Sequence, residues 1–230
     1  MSSGGLRTRA SGVDWCVRRA SELLRRAVVR QFSAVLRGLC VRRQSVIMCR
    51  PADLPVPIVS AGLPVRIELL QEDQVDEYSS FYPWTAPADA RQRLRQGQLC
   101  FVARHQGRLV AADWASTEST YSRDLHCIFP LQPGDVYTYE IYTLPEFRRQ
   151  RIATVIKVEI LRNFGAAGCR RFLNLISPDN HASLHTNEKL GYRRVGLMGY
   201  WGLGPFRRHI TEWNGRCGEA DDLTDGRAPG

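Results

Sequence analysis

The 230-residue chain is long enough for one good-sized domain with extensions. Hydrophobic residues make up 43% and charged residues 24%, ordinary for a globular protein, and no apolar run reaches the ~18 residues that a membrane-spanning helix needs. The net charge of +9 lies in residues 1–50, where eleven arginines face only Asp14 and Glu22; the remainder balances at 21 basic and 21 acidic residues, so nothing in it argues for nucleic acid.

Residues 1–12 are rich in Gly, Ser and Arg and are expected to be disordered. From Val13 to Val41 apolar residues recur at helical spacing (Val17, Leu24, Val28, Phe32, Val35), with arginines on much of the other face. The pattern predicts a basic amphipathic helix. A helix packed on the domain, a weak membrane-surface contact, a targeting segment, and a chain that starts at Met48 all remain open for this 1–50 extension. Residues 51–64 carry four prolines without a helical period and read as a linker.

The domain is expected over 65–207. Val65–Leu69 alternates with period two, a strand, and Glu72–Gln96 is helical with a break at Tyr82-Pro83-Trp84. Leu99–Arg104 and Arg108–Ser116 form a hairpin about His105-Gln106-Gly107, followed by a polar loop over 117–134. Val136–Leu144 reads as the central strand, Arg149–Gly165 as a helix and Arg171–Ser177 as another strand. Ala182–Leu190 is a short helix stopped by Gly191, Tyr192–Leu203 holds one or two strands, and 208–230 reads as a flexible tail.

Pro145-Glu-Phe-Arg-Arg-Gln-Arg-Ile-Ala153 joins the central strand to the helix after it. A basic turn there aims several backbone N–H groups and the positive end of the helix dipole at one spot, which suits a phosphate. Arg148-Arg-Gln-Arg-Ile-Ala153 resembles the Arg/Gln-x-x-Gly/Ala-x-Gly/Ala acyl-CoA signature of the GNAT superfamily of N-acyltransferases, with Arg151 where glycine is usual. About 30 residues on, Asn180-His-Ala-Ser-Leu-His-Thr-Asn-Glu-Lys-Leu-Gly-Tyr192 is similar to that family's Asn-x-x-Ala/Ser…Glu-Lys-Leu-Gly-Phe/Tyr segment.

The resemblance implies an α/β fold: a mixed, mostly antiparallel sheet with helices on both faces, whose central strands part to admit the pantetheine arm. It implies acetyl-CoA as acyl donor and an amine, small or on a protein, as acceptor. Backbone amides from Arg149 to Thr154 (Arg149, Gln150, Arg151, Ile152, Ala153, Thr154) would grip the diphosphate, with charge from Arg148 and Arg151. Glycine lets the backbone approach the phosphate without a Cβ; Arg151 can still fit with a helical φ, its guanidinium compensating by contact with the phosphate. A strand N–H within Ile141, Tyr142 and Thr143 would polarise the thioester carbonyl. Asn180 would contact the pantetheine or cap its helix. Asn187 stands where the family often has a tyrosine that protonates the leaving thiolate; an amide cannot do so.

Glu140 is the candidate base. A carboxylate in an aromatic, β-branched strand is costly to bury, and burial would make it a stronger base. An exposed or arginine-paired glutamate is the other reading of the same residue. Trp84, Tyr121, Tyr200 and Trp201 are candidate walls of the acceptor pocket. Cys16, Cys40, Cys49, Cys100, Cys127, Cys169 and Cys217 are odd in number and lack a Cys-x-x-Cys pair. Several sit in apolar runs, so they read as reduced, buried thiols in a cytoplasmic protein, with no metal site. The expected activity is N-acetyl transfer; a degenerate CoA-binding module with a scaffold role is the alternative.

Overall fold

A computed structural model describes residues 40–203, 206–213 and 217. The expected helix over 13–41 lies outside them except for Cys40 and Val41, which begin strand β1 (Cys40–Pro51). The chain divides into two compact units, Arg43–Gly199 with Ile210–Gly230, and Met1–Arg42 with Tyr200–His209. In the second, the Arg207 guanidinium lies 5.4 Å over the Tyr200 ring. All that follows concerns the first.

After β1 come β2 (Arg66–Leu69), a 3₁₀ turn (Glu72–Gln74), α1 (Val75–Phe81), α2 (Pro87–Arg95), β3 (Leu99–His105) and β4 (Arg108–Ser116). Next are β5 (Thr120–Ser122) and β6 (Cys127–Phe129), a small hairpin inside the stretch expected to be loop. Then follow β7 (Asp135–Thr143), a 3₁₀ turn (Pro145–Phe147), α3 (Ile152–Ala166), β8 (Arg171–Ile176), α4 (His181–Lys189), β9 (Arg193–Leu203) and β10 (Phe206–Glu212). Eight strands share one sheet in the order β10-β9-β1-β8-β7-β4-β3-β2. β7 and β8 run parallel, whereas β1–β8, β4–β7, β3–β4 and β2–β3 are antiparallel.

Side-chain alternation builds two layers. Val46, Met48, Phe101 and Ala103 face α3, which presents Ile152, Ile156, Ile160, Leu161 and Phe164 at helical spacing. Cys100, Val102, Ala112 and Trp114 face the opposite way, toward Val75, Tyr78 and Ala90 of α1 and α2. There the Trp114 indole donates to the Tyr78 hydroxyl at 2.7 Å.

The sheet corrects two boundaries. Residues 46–50, read as the end of a basic extension, and Pro51, read as the start of the linker, pair with 171–176 and belong to the domain. Arg50, counted with the excess charge, is 1% exposed and donates to the carbonyls of Leu190, Pro51, Leu54 and Pro55. The proline-rich linker is pinned as well: the Gly62 N–H donates to the Gln150 carbonyl at 2.8 Å, and Val56, Val59, Ala61 and Leu63 pack on the core. The cysteine reading changes too, since a disulfide joins Cys49 to Cys217, 168 residues apart. That separation left no trace in the local sequence, and the bond removes the reduced-thiol argument for a cytoplasmic location. Among the described residues, no helix is long and apolar enough to cross a membrane.

Candidate active site

The site begins where two neighbouring strands stop pairing. β7 and β8 are in register from Asp135↔Arg171 to Thr138↔Asn174, although β7 runs on to Thr143 and β8 to Ile176. Beyond Thr138 the strands part. On its other edge β7 carries a bulge: Ala112 faces Tyr142 and Trp114 faces Tyr139, so Asp113 alone stands opposite Glu140 and Ile141. Glu140 has φ +57°, a left-handed conformation that costs a non-glycine residue about 1–2 kcal/mol. A bulge leaves its extra residue outside the ladder. Of the three candidates for the carbonyl-polarising N–H, Ile141 is in the bulge, whereas Tyr142 and Thr143 are in register with β4.

A cavity of about 550 Å³ fills the gap. Tyr139, Glu140 and Ile141 line it from β7, Leu175 and Ile176 from β8, and Asn180 and Ser183 from the start of α4. Tyr82, Trp84, Tyr121 and Arg123 line it from the α1–α2 and β5–β6 connections, and Asp113 and Lys157 form part of its wall. Trp84 and Tyr121 are 62% and 55% exposed. Tyr142, by contrast, packs its ring against Phe81, Tyr82 and Trp84 at 5.3–5.4 Å.

Glu140 is not the unpaired buried carboxylate that the strand pattern suggested. Arg93 donates to both its oxygens, at 2.7 and 3.0 Å, and the Thr85 hydroxyl donates at 3.3 Å. Arg93 is itself wedged over the Trp114 and Tyr139 rings, 5.2 and 5.3 Å away. The arginine-paired alternative is thus the one realised. Its partner is on α2, 47 residues earlier, which no local pattern reveals.

The basic loop lies at the head of α3. Arg149 has φ +64° and Arg151 φ +58°, both left-handed, and Arg151 is the N-cap of α3. The expectation of a helical φ at Arg151 is therefore corrected: the position uses the conformation that glycine adopts freely. Left-handed residues alternating with others curl successive N–H groups into an anion-binding concavity. The first turn of α3 (Ile152, Ala153, Thr154) adds N–H groups with no carbonyl four residues back. Gln150 is held by the Gly62 N–H bond, and the Arg148 guanidinium donates to the Thr143 carbonyl at 3.2 Å. A donor set of this kind suits an anion.

Asn180 caps α4, its Oδ1 accepting from the Ser183 N–H at 3.1 Å, and it also lines the cavity. Asn187 is 1% exposed; its amide donates to the Ser183 carbonyl and its oxygen accepts from Asn174, both at 2.8 Å. Both ends are committed to protein, so Asn187 is a brace between α4 and β8. Sequence reasoning missed Asp113 and Lys157. Asp113 is wholly buried, and Lys157 Nζ stands 3.5 Å from its Oδ2. Burial pushes the Asp113 carboxyl up to about 6 against the opposing pull of Lys157. Two signals were present: a lone carboxylate in Leu109-Val-Ala-Ala-Asp-Trp-Ala-Ser116, and a lysine inside the Ile152–Leu161 apolar stripe.

A family model described as the acetyltransferase (GNAT) family matches residues 67–192. This is more than half of the chain, which belongs to the GNAT acetyltransferase family. No curated protein matches it. A GNAT-family acetyltransferase from Novosphingobium aromaticivorans superposes with a TM-score of 0.52 at 22% identity, over 69% of this chain and 63% of its own. A Drosophila protein superposes at 0.51 and 15% identity, over 77% and 57%. Aminoglycoside N-acetyltransferase AAC(6')-Iy in complex with CoA gives 0.46 at 22%, over 56% and 92%. This chain thus spans 63% and 57% of the length of the first two, and the likeness at these identities is one of fold.

Proposed function

We propose that this protein is an acyl-CoA-dependent N-acyltransferase, with acetyl-CoA as donor and direct transfer to an amine in a ternary complex. The observation that carries the reading is the cavity at the parting of β7 and β8. It draws its lining from α3 and α4 on one side and from the α1–α2 and β5–β6 connections on the other. Two substrates can approach one point from opposite faces of the sheet. In this reading the N–H groups from Arg149 to Thr154 bind the diphosphate, with Arg148 and Arg151 adding charge. Asn180 guides the pantetheine, and the Ile141 N–H polarises the thioester carbonyl. When bound, the donor supplies an activated acyl carbon; the protein holds it, keeps water out and orients the amine.

Glu140, locked to Arg93 at the bulge, has the role of keeping Ile141 in place and shaping the acceptor side. The acceptor meets Tyr82, Trp84 and Tyr121, a wall suited to a flat or ring-bearing amine. Calorimetry with coenzyme A, followed by thiol release from acetyl-CoA across an amine panel, tests the reading. Uptake of coenzyme A with no thiol release from any amine would favour the scaffold module instead, a reading supported by the commitment of Asn187 and Glu140 to protein partners. No uptake at all would remove both.

A further inference from the structure

Among the described residues, five buried side-chain oxygens lack a hydrogen-bond partner, and four of them belong to residues lining the cavity at the parting of β7 and β8: both Asp113 carboxylate oxygens, Thr138 Oγ1 and Asn174 Oδ1. Buried oxygens without donors are costly, so folds concentrate them where something else uses them. Asp113 is the sharpest case. It is 0% exposed, opposite the β7 bulge, and its only described charged neighbour is Lys157, 3.5 Å away. A structural ion pair in the same sheet looks different: Asp135 takes two short bonds from Arg171, at 2.6 and 2.9 Å, and a third from the Gln132 N–H.

We infer that Asp113 carries the proton of the acyl transfer, with Lys157 as its fixed counter-charge; this rests on the acyltransferase reading above. An ammonium acceptor loses two protons on its way to an amide. The Asp113 carboxylate takes the first, freeing the nitrogen lone pair. The nitrogen attacks the thioester carbon, the N–C bond forms, and the C–S bond breaks with its electron pair on sulfur. Asp113 returns its proton to that sulfur, and the second nitrogen proton leaves to solvent. One carboxyl thus serves as base and then as acid, so the position of Asn187 needs no proton donor.

The surroundings suit the task. Lys157 faces Asp113 from α3, Cys100 from β3, and Tyr192 from the turn before β9. Burial pushes the Cys100 thiol and the Tyr192 phenol up, so both stay neutral and Lys157 is the one charge that tunes Asp113. With its carboxyl near 6, Asp113 is ionised at neutral pH yet close enough to accept a proton.

The test starts from wild-type protein. Calorimetry with coenzyme A and thiol release with the best amine of a panel establish the transfer reading first; a failure there sinks that reading before Asp113 is in question. Given turnover, kcat/KM should fall as pH drops through about 6. Asp113→Asn should lose about a hundredfold or more in kcat together with that acidic limb. Its affinity for coenzyme A should stay within roughly threefold. Should Asp113→Asn alone misfold around an unbalanced Lys157, the neutral pair Asp113→Asn with Lys157→Met replaces it. A readout free of activity is the pH dependence of urea unfolding of wild type against this pair, which reports whether a carboxyl titrates near 6. Turnover within about threefold of wild type in either variant, with the limb unmoved, overturns the inference, and so does a wild-type protein with no group titrating there.

Discussion

The two ends of the β7–β8 pair differ in one respect that separates structure from chemistry. At the lower end the strands are in register, and Asp135, 1% exposed, is saturated by Arg171 and a backbone N–H. At the upper end the strands part, Thr138 and Asn174 keep oxygens without a hydrogen-bond partner, and Asp113 has only the long 3.5 Å contact to Lys157. Both ends bury a carboxylate with a cation. Only the lower one spends every bond on the fold. A saturated pair clamps; an unsaturated pair beside a cavity is held ready for a ligand or a proton.

The largest expected effect lies at the clamp. Asp135→Ala strips the partly buried Arg171 guanidinium of its carboxylate and should cost roughly 3 kcal/mol of unfolding free energy in urea. A loss below about 1 kcal/mol, the value of a surface pair, would erase the contrast between the two ends.

Next comes pH at the upper end. The folded-state value of Asp113 is raised from 3.8 to about 6, so its contribution to stability is fully present below 3.8 and is lost as pH rises through about 6. Wild-type stability relative to the Asp113→Asn/Lys157→Met pair should therefore fall by up to about 3 kcal/mol between pH 4 and pH 7. Urea unfolding at the two pH values checks the sign; a flat difference would mean that Asp113 is no more perturbed than a surface acid.

Glu140→Gln is a smaller probe, because it keeps the shape of the side chain while weakening the bidentate bond to Arg93. It should cost about 1–2 kcal/mol in stability. Turnover should fall while coenzyme A affinity stays nearly intact, and unchanged turnover would remove Glu140 and its bulge from the mechanism. The smallest effect is expected at Arg151→Gly. Relief of the left-handed strain is offset in part by the freer unfolded chain, for a net gain of about 0.5–1 kcal/mol. Coenzyme A affinity should drop a few-fold with the lost charge, and calorimetry beside thermal unfolding separates the two effects.

Period-two and helical patterns were enough to read β2, β3, β4, β7, β8 and the helices from α1 to α4 along the chain, since each buries one face of its own. The basic loop was legible as well, because its N–H groups, its arginines and the helix start that aims them are contiguous. β1 was misread as an extension: its apolar run is short and follows arginines, and its partners in β8 are 120 to 130 residues away (46–51 against 171–176). Glu140 was legible as an anomaly but not as paired, for the same reason of distance.

The sequence by itself determined the elements from β2 to β4 and from β7 to α4, and the basic turn at the head of α3, each set by neighbours within a dozen residues. Tertiary structure alone decided that Arg93 reaches Glu140, that Arg50 is buried, that Cys49 meets Cys217, and that Asp113 faces a cavity with Lys157 as its charged neighbour. Each of these depends on which strands lie side by side. A carboxylate's chemistry is fixed by what surrounds it in space, and that neighbourhood exists only once the sheet has formed.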